Sequence, residues 1–438
     1  MQSSSRNYVA SFLEEVCKEI RYKGIHRSIR RELTDHIEDQ KSEYISQGME
    51  EEAATLKAVQ QMGDPYVVGR QLDKTHRPKT EWSILIIAAL FVVVSGVIQY
   101  FFSQISEPYS EGMFLHFLMY APIGIAAFAL LYFFDYTWLG RHARLVFFIL
   151  FAMTIAGWLV STTKINGSYT FITYASLVLI PAFAGLVYSF RNKGYAGILY
   201  SSLCYAAAGV MFLMAPSFSS FALFTSCCLI IMTVAITKGY FGGKRLPSLL
   251  IAYAPASLVL LLSFFNMSAY HFARIQSFFD SSDTAGSGYQ LATVRKLFAS
   301  SQPMGEAALS GYADHLTLDR ILPAWSTDLS LTYIIAKLGL IPGIALVSIL
   351  LIFIARLLIS VLKQKHAYGF LVSFAVCLAL AGQIIIYVLS NIGVMQAMSL
   401  PLPLISFGAA GFVANMALLG LLLSVHRRTN LVSGSLSS

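Results

Sequence analysis

Charged residues are scarce in this sequence, and they are unevenly placed. Only 12% of the 438 residues are charged, whereas 56% are hydrophobic. Soluble proteins carry roughly 25% charged residues, so this composition excludes an ordinary soluble domain. Residues 1–81 are dense in charge, but long runs after Trp82 have none. The net charge of +8 therefore reflects membrane topology rather than a nucleic-acid surface.

Metal and cofactor motifs are also missing. The five cysteines include no CxxC pair and no Cys/His cluster, so the sequence supports neither a zinc site nor a disulfide framework. The first eighty residues contain no apolar run of signal-peptide type, so we expect an uncleaved N-terminus in the cytoplasm. The two halves of the chain show no mutual similarity, which argues against an inverted-repeat transporter.

Residues 1–80 are predicted to form a small cytoplasmic helical bundle. Three stretches repeat apolar residues at helical spacing: Phe12, Val16 and Ile20; Ile25, Ile29, Leu33 and Ile37; and Leu56, Val59 and Met62. Asp64 can cap a fourth helix that begins at Pro65. Its solvated charges favour a docking or regulatory bundle. The strings RRELTDHIEDQ and AVQQMGDPYVVGRQL resemble the helical prefix domain that precedes permeases and other membrane proteins in Gram-positive bacteria, which implies a cytoplasmic accessory role.

Ten later stretches are apolar enough to cross a bilayer, which takes about 20 residues each. They are about 82–103, 113–134, 145–162, 170–190, 194–214, 218–238, 246–266, 331–361, 368–392 and 401–425. The eighth carries Pro342 and Gly343, which predicts a kink or a start outside the bilayer. The expected fold is all-α, with a polytopic membrane domain over 82–428 and a disordered tail over 429–438.

The loops between these spans predict the orientation. Basic residues gather in alternate loops: Arg141, Arg144, Arg191, Lys193, Lys238, Lys244, Arg245, Lys363, Lys365, Arg427 and Arg428. The opposite short loops carry Glu107, Glu111 and Lys164 only. By the positive-inside rule, both termini are cytoplasmic and the large loop 267–330 between spans 7 and 8 is extracytoplasmic.

The end of that polar loop is the first candidate for chemistry. Asp328 lies next to the eighth span and close to Trp325, where partial burial would make a carboxylate a better base. The alternative is a purely structural helix start, with Ser326 or Thr327 as the cap and Asp328 favoured by the helix dipole.

Two cations and one segment add to this candidate site. Lys337 stands in an apolar stretch, where it must be paired, face water or snorkel to the surface. Arg274 follows the seventh span and suits either lipid headgroups or a phosphate. The Pro- and Gly-rich segment 391–411 predicts either non-helical backbone, which must pack in protein or line a wet cavity, or plain packing of small residues.

Three blocks of the sequence resemble the SEDS proteins (FtsW, RodA and SpoVE type). ARIQSFFD…GSGYQ resembles the family pattern RI.aF.dP…G.GYQ, and LPAWSTDLSLTYIIAKLGLIPG resembles LPe.hTDFIFa.i.EElGliG. NIG…LPLISFG resembles N.G…LP.iSYGGSS. The resemblance covers about residues 82–428.

The resemblance implies a peptidoglycan glycosyltransferase of the bacterial cytoplasmic membrane. Such proteins polymerise lipid II on the outer face, beside a class B penicillin-binding protein and among membrane lipids. The family aspartate falls on Asp328, which would deprotonate the acceptor sugar. Arg274, or a divalent cation such as Mg²⁺ or Mn²⁺, would stabilise the leaving pyrophosphate. The remaining expected substrate contacts are Lys337, Thr327, Gln290, Asn391 and Ser406.

The sequence departs from the family pattern in several places: the family histidine before Thr-Asp is Ser326 here, and the motif YGGSS is FGAAG over residues 407–411. The family Glu-Glu pair is Ala336-Lys337 here, and the block GkGl.G is GEAALSG over residues 305–311. These departures leave two alternatives: a non-catalytic membrane scaffold that binds a penicillin-binding protein, and a flippase for a lipid-linked precursor.

Overall fold

The structure is a computed structural model that describes residues 2–75, 80–105, 112–161, 164–165, 168–215, 217–265, 288–308, 316–398 and 400–429. Contacts divide the chain into two compact units. One comprises Met1–Thr80 with the C-terminal segment from His426, and the other is Glu81–Val425. Both are helical in the described residues, as the composition predicts.

The N-terminal unit contains four helices: α1 (Gln2–Glu19), α2 (His26–Ser46), α3 (Glu51–Gln61) and α4 (Pro65–Thr75). The apolar stripes of α1 and α2 form its core, and Val16 and Ile37 are almost completely buried there. Asp64 caps α4, since its Oδ1 accepts the Tyr66 N–H at 2.9 Å. Periodicity and capping therefore predict these helices correctly.

The predicted inner face of α3 is partly wrong. Leu56 is 41% exposed, while Ala54 and Ala58 are fully buried. Val59 and Met62 pack against the core, as expected. The small alanines allow the backbone of α3 to lie close to α1 and α2, and a large leucine has no room on that face.

The membrane unit contains fourteen described helices. In chain order they are α5 (Trp82–Ser103), α6 (Met113–Phe133), α7 (Tyr136–Arg141), α8 (Ala143–Val160), α9 (Thr170–Ser189), α10 (Gly194–Met214), α11 (Phe218–Thr237), α12 (Arg245–Phe265), α13 (Tyr289–Ala299), α14 (Leu318–Ile321), α15 (Ser330–Leu338), α16 (Leu340–Leu362), α17 (Ala367–Asn391) and α18 (Ala409–Arg427). A two-residue antiparallel pair, β1 (Lys164–Ile165) and β2 (Ser168–Tyr169), joins α8 to α9.

Ten of these helices are long and apolar enough to span a membrane: α5, α6, α8 to α12 and α16 to α18. The chain is therefore a multi-pass membrane protein, and the predicted all-α polytopic fold is confirmed. Most of α9 and α18 is buried, whereas α6, α8 and α12 expose most of their side chains. Exposed apolar side chains on these three helices face lipid in a bilayer.

The eighth predicted span is not one helix. The chain breaks at Gly339, where φ is 106° and ψ is 175°, a backbone conformation open almost only to glycine. The kink at Pro342 and Gly343, one of the two predicted alternatives, is wrong, because α16 continues through both residues. Pro342 lies in the first turn of α16, where backbone N–H groups have no acceptor within the helix. A proline at this position therefore costs no helical hydrogen bond.

The break is filled by the preceding loop segment 302–307. The Leu340 N–H at the start of α16 donates to the Gln302 carbonyl oxygen (2.9 Å). At the end of α15, the Leu338 carbonyl oxygen accepts the Gly305 N–H (3.0 Å). One non-helical segment thus satisfies backbone groups at two helix ends, which makes the break stable in a low-dielectric setting.

The tenth predicted span begins too early. Residues 400–408 are described but not helical, and α18 starts only at Ala409. Pro401 and Pro403 lack backbone donors, and Leu404 has a φ of 66°. The expectation of non-helical backbone in this segment is confirmed.

Candidate active site

Asp328 lies in a tight turn immediately before α15. The Ala324 carbonyl oxygen accepts the N–H groups of both Thr327 (3.1 Å) and Leu329 (3.0 Å). Ala324 has a φ of 54°, which allows the chain to reverse there. Asp328 is 6% exposed. The turn therefore holds a nearly buried carboxylate at the start of a short helix.

The start of α15 is capped by another helix, α17. The Tyr387 hydroxyl oxygen accepts the Leu331 N–H (2.9 Å), and Asn391 Oδ1 accepts the Thr332 N–H (2.9 Å). The N-cap residue itself, Leu329, makes no side-chain capping bond. The alternative in which Ser326 or Thr327 caps this helix is therefore wrong, because α17 satisfies the first-turn donors.

Asn391 ties the Asp328 turn to α17. Its Nδ2 donates to the carbonyl oxygens of Asp328 and Tyr387, both at 2.9 Å. Its Oδ1 accepts the Thr332 N–H and also the Thr332 hydroxyl (3.0 Å). The side chain is fully buried, and these bonds satisfy both the nitrogen and the oxygen of its amide. Its position fixes the backbone that carries Asp328.

Ser406 joins the same turn to the non-helical segment 400–408. Its hydroxyl donates to the Thr327 carbonyl oxygen (2.9 Å) and accepts the Leu402 N–H (2.9 Å). The Phe407 N–H donates to the Ser326 carbonyl oxygen (3.2 Å). The structure therefore brings four predicted site residues together: Thr327, Asp328, Asn391 and Ser406.

Two buried glutamines from membrane-spanning helices hold the segment 400–408 from the other side. Gln99 Nε2 on α5 donates to the Ile405 carbonyl oxygen (3.0 Å), and Gln383 Nε2 on α17 donates to the Pro401 carbonyl oxygen (2.6 Å). Non-helical backbone inside a membrane protein needs such partners. Sequence reasoning missed both residues because it searched the spans for ionisable groups. A lone amide in an apolar span was the available signal.

An aromatic cluster supports the turn on its N-terminal side. The Trp325 ring centroid lies 5.1 Å from that of Phe102 and 4.9 Å from that of Tyr333. Phe102 and Tyr333 are themselves 5.6 Å apart in an edge-to-face arrangement. Interlocked aromatic rings restrict the rotamers of all three residues and so stiffen the entry to the turn.

The other predicted contacts lie elsewhere. Lys337 is at the far end of α15, about 10 Å along the helix from Ser330. Its Nζ contacts both carboxylate oxygens of Glu306 at 2.8 Å. Gln290 is half-buried in the first turn of α13 and makes no side-chain hydrogen bond among the described residues. Arg274 lies outside the described residues.

One family model matches most of the chain. It is the FtsW/RodA/SpoVE model, described as "Cell cycle protein", and it covers residues 78–431. The chain therefore belongs to the FtsW/RodA/SpoVE family. The resemblance to SEDS proteins drawn from the three sequence blocks is confirmed.

Individual members of this family match over different lengths. The probable peptidoglycan glycosyltransferase FtsW of Aromatoleum aromaticum is 27% identical over 85% of this chain and 92% of its own length. That of Coxiella burnetii is 24% identical over 59% of this chain and 67% of its own length. The match to the peptidoglycan glycosyltransferase MrdB of Escherichia coli K12 is 27% identical, and the chain spans about half the length of that protein (48%).

Two solved structures share the fold. A chain from a peptidoglycan synthase complex has a TM-score of 0.59 and 19% identity, with 80% of this chain and 98% of that chain covered. A mutant of the rod shape determining protein RodA from Thermus thermophilus has a TM-score of 0.51 and 16% identity, with 80% and 97% covered. At these identities the likeness establishes the FtsW/RodA/SpoVE fold.

The ion pair of Lys337 involves two residues at which this chain differs from the family pattern. The family pattern has a lysine where this chain has Glu306, and a glutamate where it has Lys337. The structure joins the two side chains, which are 48% and 37% exposed. The two residues at which this chain departs from the family pattern therefore meet in one ion pair.

Proposed function

We propose that this protein is a peptidoglycan glycosyltransferase that polymerises lipid II during cell-wall synthesis in division, elongation or sporulation. One observation carries the proposal. The family aspartate, Asp328, lies in a buried turn that is hydrogen bonded to α17 and to the segment 400–408, and α17 rather than a side chain of the turn caps α15. The names of the family relatives support the same activity.

In the proposed reaction, Asp328 acts as the general base. A hydroxyl of the acceptor sugar gives its proton to the carboxylate as its oxygen attacks the anomeric carbon of the donor. A new C–O glycosidic bond forms, and the bond from that carbon to the pyrophosphate oxygen breaks. Undecaprenyl pyrophosphate leaves with the bonding electron pair. General-base catalysis of this kind contributes about 10²–10⁴-fold.

The neighbours of Asp328 act by positioning it. Asn391 and Ser406 hold the backbone on either side of the aspartate, and their side chains are occupied by protein partners. We therefore assign them to positioning rather than to substrate contact. Thr327 contributes its carbonyl oxygen to this framework. Substrate contact by Arg274, Gln290 and Lys337 remains a prediction.

The reaction is proposed to take place on the outer face of the bacterial cytoplasmic membrane, with both termini cytoplasmic. The basic loops support this orientation, because they lie at the helix ends opposite to the Asp328 turn. Two of these loops are joined: the Asn192 N–H donates to the Tyr240 carbonyl oxygen (2.9 Å). Arg191 lies over the Tyr188 ring at 4.1 Å, and Arg144 donates to the Ser189 carbonyl oxygen (3.2 Å). Cations gathered at one membrane surface fit the cytoplasmic side and its anionic lipids.

The proposed partner is a class B penicillin-binding protein, which would cross-link the polymer. One structural neighbour comes from a complex that coordinates polymerization and crosslinking, and this supports such a pairing. A divalent cation has less support. No three His, Cys, Asp or Glu side chains converge within the described ranges, so those residues do not by themselves fit Mg²⁺ or Mn²⁺. No step of the reaction is assigned to a metal.

The test is polymerisation of labelled lipid II by the purified full chain, with and without a penicillin-binding protein, in Mg²⁺, Mn²⁺ or chelator. Asp328→Asn should reduce the rate at least about a hundredfold with an unchanged melting temperature. Asp319→Asn is the matched control, because Asp319 is a half-buried carboxylate on α14 outside the Asp328 network. Retained polymerisation in Asp328→Asn would exclude Asp328 as the base. If the wild-type chain makes no polymer in any condition but still binds the partner, a scaffold is the correct function.

A further inference from the structure

Tyr174 on α9 is placed against the segment that packs on the Asp328 turn. A Cβ built on Gly411 would lie 2.8 Å from Tyr174 Cε1, and one built on Gly408 would lie 3.6 Å from its hydroxyl oxygen. The ring therefore occupies space that two glycines leave open. Gly408 directly follows Phe407, whose N–H is bonded to the turn at Ser326. These contacts bring the Tyr174 hydroxyl to the side of the turn that faces α9.

The Tyr174 hydroxyl is near enough to Asp328 for a Coulomb interaction with its carboxylate, and the two are not hydrogen bonded. The carboxylate interacts electrostatically with the hydroxyls of both Tyr174 and Tyr387. The Tyr387 hydroxyl is occupied by Ser330 and by a backbone N–H of α15. Tyr174 forms no hydrogen bond with the residues that the structure describes, and its side chain is only partly buried.

A neutral hydroxyl suits a position beside Tyr174 and Asp328 better than an anion does. A pyrophosphate beside the Asp328 carboxylate would be repelled by it in a low-dielectric site. A sugar hydroxyl has one hydrogen to give to the carboxylate and lone pairs that accept a hydrogen bond from a phenol. Tyr120, whose buried hydroxyl lies beside the Gly408 backbone, adds no charge on this side.

We infer that Tyr174 is a substrate-binding residue of the same site, whose hydroxyl donates a hydrogen bond to the acceptor sugar of the saccharide that Asp328 deprotonates. This inference rests on the proposed function. Tyr174 orients the acceptor hydroxyl so that its hydrogen points to Asp328 and its other lone pair points to the donor carbon. It takes up no proton and forms no covalent bond.

The experiment compares Tyr174→Phe with wild type in lipid II polymerisation by the full chain in nanodiscs. The variant keeps the ring on Gly411, so the melting temperature should not change. Loss of one hydrogen bond should lower kcat/KM by about tenfold. Binding of labelled lipid II is measured in an Asp328→Asn background, where the proposed function predicts that turnover is at least about a hundredfold slower. There, adding Tyr174→Phe should weaken the affinity by a similar factor.

Tyr200→Phe is the matched control. Tyr200 lies on α10, is 54% exposed and contacts the Phe190 ring, so loss of its hydroxyl should leave activity and binding unchanged. If Asp328→Asn is inactive while Tyr174→Phe matches Tyr200→Phe in both assays, the Tyr174 inference is overturned and the proposed function stands. If Asp328→Asn is fully active, the proposed function itself fails.

Discussion

The amide of Asn391 is the most informative position at which to perturb the Asp328 turn. Asn391→Ala removes all four side-chain hydrogen bonds of Asn391, among them the Nδ2 donor to the Asp328 carbonyl and the Oδ1 acceptor of the Thr332 N–H, both at 2.9 Å. The Thr332 hydroxyl keeps its bond to the Asn391 backbone oxygen (2.9 Å). The change therefore takes the side-chain partner away from two buried backbone groups, the Asp328 carbonyl and the Thr332 N–H. It leaves the carboxylate of Asp328 chemically intact.

The size of the effect follows from those two groups. A buried donor or acceptor left without a partner costs about 1–3 kcal/mol, so the two together cost about 2–6 kcal/mol. Asn415 provides the matched control, since it is also buried and its Nδ2 bonds only the Gly411 carbonyl oxygen in the same helix (2.9 Å). Asn415→Ala loses a comparable volume and one bond worth about 0.5–1.5 kcal/mol.

The assay combines thermal unfolding in detergent with hydrogen exchange and polymerisation per folded molecule. Asn391→Ala should lower the melting temperature more than Asn415→Ala and speed amide exchange over residues 324–332. Polymerisation should fall although Asp328 is unchanged, because its backbone is no longer held. Equal melting temperatures for the two variants, with wild-type exchange in the turn, would refute the assignment of Asn391 to positioning.

Two further contacts can be tested in the same way. Gly339→Ala should destabilise the chain by several kcal/mol in thermal unfolding, because the new Cβ would lie 2.6 Å from the Met304 Cα. Gly305→Ala is the control: Gly305 also has a positive φ (100°) but open space around it, so the variant should cost only about 1–2 kcal/mol of backbone strain. Similar losses of stability for both variants would contradict the steric explanation. Glu306→Lys or Lys337→Glu alone should destabilise by up to about 1 kcal/mol, because the pair is half-exposed, and the double variant should recover it. A double-mutant cycle measures this coupling, and a coupling energy of zero would show that the ion pair does not hold the loop.

The sequence by itself determined the helical architecture. A bilayer leaves an apolar stretch of about 20 residues little choice but a helix, because only intrahelical bonds satisfy its backbone there. In the N-terminal unit, the four-residue recurrence of Phe12, Val16 and Ile20 predicts the buried face of α1 correctly. The motif around Asp328 and the Pro- and Gly-rich segment 391–411 also located the candidate site.

Only the tertiary structure decided where helices break and which groups meet. The break at Gly339 depends on backbone partners in segment 302–307, and the segment 400–408 depends on Gln99, about 300 residues earlier in the chain. Lys337 finds its counter-ion in Glu306, which is 31 residues away. Such bonds follow no local period, so neither composition nor spacing reveals them. They form because buried polar groups must be paired, and the partner is whichever segment the packed bundle brings within reach.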